Sequence, residues 1–260
     1  MSGSLNCNGV ELAYEVRGSG RDVLFLHGFL ANGTGPYYDE FKGLLAGEYR
    51  VHSIDMRSHG GSKHISDGLT FEHLPKDIVA AVETLEIEEA LVIGHSMGGF
   101  LAMASAIINP SRFRALVAIT PAQSRGAPTE EIVPDFMAAR ASRALMHERF
   151  GAMFVQPPRE ARLDILRDAA LCLPDSAAEH WIRNEWPNTN ITDRLTAIDI
   201  PVLTLIGMKD VVVSPMNQYE DVVRLPRAKA VSFTDEGHML PVEKPELCYR
   251  EILRFEEDLS

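Results

Sequence analysis

Cysteine is scarce in this 260-residue chain, and basic residues are outnumbered. Cys7, Cys172 and Cys248 are odd in number and widely spaced. They offer neither a disulfide framework nor a Cys-x-x-Cys metal pair, and small buried thiols are the expectation. Against 37 Asp and Glu stand only 25 Lys and Arg, for a net charge of −12. Phosphate backbones and anionic lipid surfaces demand a basic patch, so neither nucleic acid nor a membrane is an expected partner. No apolar run reaches the roughly 18 residues that a membrane span needs. Met1 to Asn6 shows neither the basic n-region nor the apolar h-region of a signal peptide, and the expected location is cytoplasmic. No His-Glu-x-x-His or similar ligand spacing occurs, so no metal and no cofactor is expected.

What is present is an ordinary globular composition, 45% hydrophobic and 24% charged. The length suits one large α/β domain with an inserted subdomain, enough to bury a core without staples. The chain opens with a hairpin signal, Asn8-Gly9 between Leu5-Asn6-Cys7 and Val10 to Val16. Val23 to Leu26 reads as a strand buried on both faces and stops at His27-Gly28-Phe29-Leu30. A helix from about Tyr37 to Leu45 follows, then a strand over Tyr49 to Ile54 that runs into a polar, glycine-bearing loop, Asp55 to Ser62. Leu69 to Leu85 has helical spacing, with Leu74, Ile78, Val82 and Leu85 on one face.

The stretch Ala90 to Gly99 then joins an apolar strand to a small-residue helix beginning near Met97. Within it, Gly94-x-Ser96-x-Gly98 is the pattern of a strained strand-to-helix turn that exposes a serine hydroxyl. Glycines flank the serine because side chains there would strike the neighbouring strand or helix. A helix start also presents unpaired N–H groups that favour developing negative charge. Glycine and serine are common, so the motif carries weight only if the rest of the chain supplies partners for Ser96. Phe113 to Ile119 is the next strand.

Such alternation predicts a mostly parallel sheet with helices on both faces, with ligands at the strands' carboxyl ends. After Ile119 it stops. Residues 121–199 hold no strand-like run but read as helices near Glu130–Leu145, His147–Phe154, Pro158–Leu173 and Ser176–Trp186. A stretch this long is a subdomain rather than a connection, expected to lie as a helical lid over the rim that holds Ser96. Most of its apolar residues pack helix on helix. Trp181, Trp186 and Met153, with Phe29 and Leu30 on the rim, are the expected substrate-facing side chains. The sheet resumes with Pro201 to Gly207 and Ala228 to Phe233, with Pro215 starting a helix capped by Ser214 and a last helix over Pro245 to Glu257. The division expected is a core of residues 1–120 and 200–260 around a cap of residues 121–199.

A serine hydroxyl needs a base, and the base an acid that fixes its tautomer. Among nine histidines, His238 stands apart in a Gly-His loop directly after the terminal strand. His95 is expected to pack behind Ser96, and His27 and His59 to hold the rim by hydrogen bonds. Asp210, just past the Pro201 to Gly207 strand, is the carboxylate closest to that strand's carboxyl end. Asp235 and Glu236 sit too near His238 in sequence to reach round its ring.

The order Ser96, Asp210, His238 resembles that of the α/β-hydrolase fold. The resemblance rests on His27-Gly28, Asp55-x-Arg57-x-His59-Gly60-x-Ser62, Gly94-His95-Ser96-Met97-Gly98-Gly99, Gly207-x-x-Asp210 and Gly237-His238, and covers nearly the whole chain. Ser58 departs from it, standing where that family usually has glycine, and is expected to tighten its loop without touching the three site residues. The resemblance implies a two-donor oxyanion hole from the Phe29 and Met97 N–H groups.

A serine nucleophile separates the chain from haloalkane dehalogenases and epoxide hydrolases, which use aspartate. His95 replaces the asparagine typical of C–C hydrolases of meta-cleavage products. The loop after His27-Gly28 lacks a Gly-Gly-Gly run. What the resemblance implies is a capped carboxylesterase or lactonase acting on a small, fairly apolar ester or lactone, as a monomer or homodimer. A C–C hydrolase, acyltransferase or perhydrolase on the same three residues, or a ligand receptor with slow turnover, are the alternatives.

Overall fold

The computed structural model describes residues 1–65 and 69–259. β1 (Ser2–Cys7) and β2 (Val10–Arg17) pair antiparallel through Asn8 and Gly9, whose φ angles of 49° and 78° are those the turn demands. β3 (Arg21–Leu26), α1 (Asp39–Leu45), β4 (Tyr49–Ile54), α2 (His73–Thr84), β5 (Ala90–His95), α3 (Met97–Ile108) and β6 (Phe113–Ile119) then alternate. The expected α2 starts four residues late: Pro75 sits in the first turn it does form, and the Thr70 carbonyl accepts the His73 and Leu74 N–H groups there.

Between β6 and the next strand, β7 (Val202–Gly207), lie α4 (Val133–Arg140), α5 (Arg143–Gly151), α6 (Glu160–Leu171), α7 (Asp175–His180) and α8 (Trp186–Asn188). The break between the first two falls at Ala141-Ser142 rather than near His147, because the Ser142 hydroxyl accepts the Leu145 N–H and starts a helix. A π turn over Trp181–Glu185 joins α7 to α8. The two stems of the insertion run side by side, with Gly126 N–H donating to Thr189 O and Ile191 N–H to Ser124 O. After β7 come α9 (Pro215–Val222), β8 (Ala228–Phe233), α10 (Leu240–Glu243) and α11 (Pro245–Leu259). Pro215 does open α9, but the Ser214 side chain makes no cap bond.

The eight strands order as β1-β2-β4-β3-β5-β6-β7-β8, parallel from β4 to β8. This is the α/β-hydrolase arrangement. β3, β5, β6 and β7 are buried almost throughout, as strands covered on both faces must be. The strand order reverses between β3 and β5, so the loops leaving those two strands face one another across a crevice. Among the described residues no helix is long and apolar enough to cross a membrane.

Candidate active site

Ser96 stands at the end of β5 with φ 53° and ψ −119°, a backbone conformation a non-glycine residue holds only under constraint. The constraints are explicit. Ser96 N–H donates to Ile119 O at 3.0 Å, and its carbonyl accepts Gly99, Phe100 and Ala122 N–H groups. A Cβ on Gly94 would lie 2.2 Å from Gly98 O, and one on Gly98 would lie 2.2 Å from Leu26 O. Both glycines are therefore forced by the proximity of backbone to backbone.

His238 reaches Ser96 from the loop after β8, with Nε2 3.0 Å from Ser96 Oγ. Its Nδ1 lies 2.9 Å from Asp210 Oδ2. A carboxylate only accepts, so Nδ1 carries the proton and Nε2 turns its lone pair to the serine hydroxyl. Asp210 is itself held: Oδ1 accepts the Val212 and Val213 N–H groups at 2.8 Å each, and Gln218 Nε2 donates to Oδ2 at 3.2 Å. Gln218 was not visible in the sequence as a site residue, since nothing about a glutamine eight positions on announces its contact. The alternative carboxylates are occupied elsewhere, Asp235 with Lys209 and Glu236 with Lys244.

Behind the serine lies a buried relay. Gly28 N–H donates to the Tyr38 hydroxyl at 3.2 Å, and that hydroxyl lies 2.8 Å from His95 Nδ1. His95 Nε2 lies 2.9 Å from the His238 carbonyl. Burial first, then the neighbouring His238, pushes the His95 pKa down to about 3, so the ring is neutral. His59 is likewise pushed down to about 3 by burial, and its Nδ1 donates to Arg57 O. His27 bridges Gly28 O and Met56 N–H, and Asp55 gathers the Gly33, Thr34 and Gly61 N–H groups, fixing the loops on this rim. Ser58 adopts φ 64°, which accounts for a preference for glycine there, and its hydroxyl bonds Ile65.

Ser96 and His238 open into a cavity of about 520 Å³. Phe29, Leu30, Met97, Met153, Trp181 and Trp186 all line it. Among the described residues, neither the Phe29 nor the Met97 N–H donates to another protein group outside regular secondary structure. Phe29 stacks on Trp181 (5.9 Å between centroids, 16°) and on Phe136 (6.4 Å, 24°), joining the rim to the insertion. Trp181 and Trp186 reach the same cavity because of the π turn. An α-helix turns about 100° per residue and would set them about 140° apart. Here the Trp186 N–H closes on Trp181 O, an i to i+5 bond that brings both indoles against Phe71.

The non-heme chloroperoxidase CPO-A1 of Kitasatospora aureofaciens is 26% identical, over 95% of this chain and 96% of its own. The esterase YbfF of Escherichia coli is 26% identical over 82% and 85%. Among solved structures, the enol-lactonase of Burkholderia xenovorans superposes with a TM-score of 0.86 at 22% identity, covering 98% of this chain and 100% of that one. Residues 23–251 match the Alpha/beta hydrolase family, and the chain belongs to it.

Proposed function

We propose that this chain is a serine hydrolase of carboxylic esters or lactones, with Ser96 as nucleophile, His238 as base and Asp210 as the acid that orients it. The observation that carries the reading is the unbroken line from Asp210 Oδ2 to His238 Nδ1 and from His238 Nε2 to Ser96 Oγ, opening into a largely apolar cavity. Ser96 Oγ attacks the acyl carbonyl while its proton passes to His238 Nε2. The tetrahedral oxyanion forms against the Phe29 and Met97 N–H groups, which contribute about 3 kcal/mol each to the transition state. Its collapse breaks the C–O bond, and His238 returns the proton to the leaving alcohol. Water, deprotonated by the same ring, then releases the acid and restores Ser96. The insertion acts as a cap: Phe29, Leu30, Met153, Trp181 and Trp186 enclose the apolar part of the substrate and exclude water.

The chloroperoxidase relative favours one second reading. Hydrogen peroxide would replace water at the acyl-enzyme, leaving as a peracid with the acyl group while Ser96 recovers its proton.

Steady turnover of p-nitrophenyl acetate and butyrate tests the main reading. Ser96→Ala and His238→Ala are each expected to lose at least about 10⁴-fold in kcat. Native-like circular dichroism and wild-type rates in either variant would overturn the assignment. Peracid formation from acetate and peroxide, measured on the same preparation, tests the second.

A further inference from the structure

We propose that Arg149 anchors a carboxylate carried by the substrate away from its scissile bond, so that the favoured substrates are half-esters of dicarboxylic acids or lactones bearing a carboxylate. The inference rests on the ester-hydrolase reading and adds the substrate class to it. On α5, Met146 and Phe150 are buried, and Arg149 lies on the same cavity-facing stripe, three residues from one and adjacent to the other. Its side chain is 41% exposed, so it borders both the cavity and solvent.

Among the described residues two arginines line the cavity, and they differ in what already holds them. Arg140 spends three N–H groups on Asp175 and on the Ala170 and Leu173 carbonyls, tying α4 to the end of α6. Among the described residues, Arg149 pairs only with Asp135, 3.8 Å away, with an 82% exposed side chain. An ion pair that long and that wet neutralises little. Among the described residues, the cavity wall carries no Asp, Glu or Lys. An incoming carboxylate therefore meets no like charge on the wall itself, needs only to displace the long contact with Asp135, and is matched geometrically by a guanidinium fork. The methylene chain between carboxylate and ester would run along Met146, Phe150 and Met153, which cover that side of the cavity.

The test compares monomethyl glutarate, adipate, pimelate and suberate with methyl esters of the matching monocarboxylic acids, in wild type, Arg149→Gln and Arg149→Lys. In the wild type, kcat/KM for the half-ester should exceed that for the neutral ester by about tenfold at one chain length or more, through KM. The ratio should fall about tenfold in Arg149→Gln and recover in part in Arg149→Lys. A salt titration of the wild type gives a readout without any variant, since at about 1 M salt KM should rise for the half-ester alone. A ratio equal in wild type and Arg149→Gln at every length, or a half-ester KM indifferent to salt, would overturn the proposal. If p-nitrophenyl butyrate is turned over while the ratio does not move, only the Arg149 assignment falls. If no ester is turned over, the hydrolase reading falls with it.

Discussion

His95 Nε2 lies 2.9 Å from the carbonyl oxygen of His238, and the hydrogen can run only from ring to carbonyl. The neutral ring then accepts at Nδ1, so the Tyr38 hydroxyl donates to it while accepting the Gly28 N–H. One directed chain of hydrogen bonds thus runs from the loop after β3, behind Ser96, to the backbone of the residue that faces the serine hydroxyl. Thr120 Oγ donates to the same carbonyl at 2.8 Å, so the His238 loop is fixed from two sides.

Tyr38→Phe breaks this chain at its centre. It leaves the buried Gly28 N–H and His95 Nδ1 unpaired, which should cost about 1–3 kcal/mol of stability. Because Gly28 precedes the proposed oxyanion donor, kcat on p-nitrophenyl butyrate should fall more than KM changes. Thermal unfolding and steady-state kinetics on one preparation check both.

The buried neutral histidines predict the direction of acid sensitivity. His95 and His59 both have folded pKa values of about 3, below the ordinary value near 6.5. Between those limits the unfolded chain binds more protons than the folded one, so stability rises with pH. Their contribution is complete above about pH 6.5 and is lost as pH falls toward 3, at about 1.4 kcal/mol per pH unit for each ring. Urea unfolding at pH 7, 6 and 5 should show this slope, to which the lowered His27 and His52 add, and His59→Gln should remove the share of one ring.

Gln218→Leu removes one donor from Asp210 Oδ2 while leaving the Val212 and Val213 N–H bonds to Oδ1. Activity should drop about tenfold, as one hydrogen bond to a charged group is worth about 1.5–3 kcal/mol. Asp210→Asn should cost about 10⁴-fold by losing control of the His238 tautomer. Equal losses in the two variants would argue that Gln218 does more than orient the carboxylate.

The Glu243 carboxylate accepts the N–H groups of Val155 and Gln156, clasping the insertion to α10 just past the His238 loop. Glu243→Ala should release that clasp. Hydrogen exchange at Val155 and Gln156 should quicken and KM should rise. Protection unchanged at those two amides would show that packing alone holds the contact.

Much of this was legible from residue patterns, for reasons that can be named. The strand runs around Leu24, Val92 and Leu203 are buried on both faces and so are uninterrupted in the sequence. Gly94 and Gly98 betray a turn where backbones touch. Ser96, Asp210 and His238 lie on loops at one end of a parallel sheet, which the alternation of elements places on one rim. What stayed hidden depends on side chains meeting across long separations. Tyr38 and Gln218 belong to helical segments whose sequence says only which face is apolar. The helix break at Ser142 was obscured because apolar spacing continues across it. The clasp at Glu243 pairs a carboxylate with main-chain N–H groups, which have no residue signature at all.

The π turn over Trp181–Glu185 bears on how the insertion could change in length. Its register differs from a regular helix by a single residue. Deleting one position between the two tryptophans would restore ordinary helical winding and leave them four residues apart, about 40° round the axis and still on one face. Ser96, His238 and Asp210 would keep every bond they make, since none of their partners lies in that turn. The wide turn thus accommodates one residue more than the shared face of the two indoles requires. A one-codon deletion would shorten the segment while leaving both the indoles and the chemistry of the chamber in place.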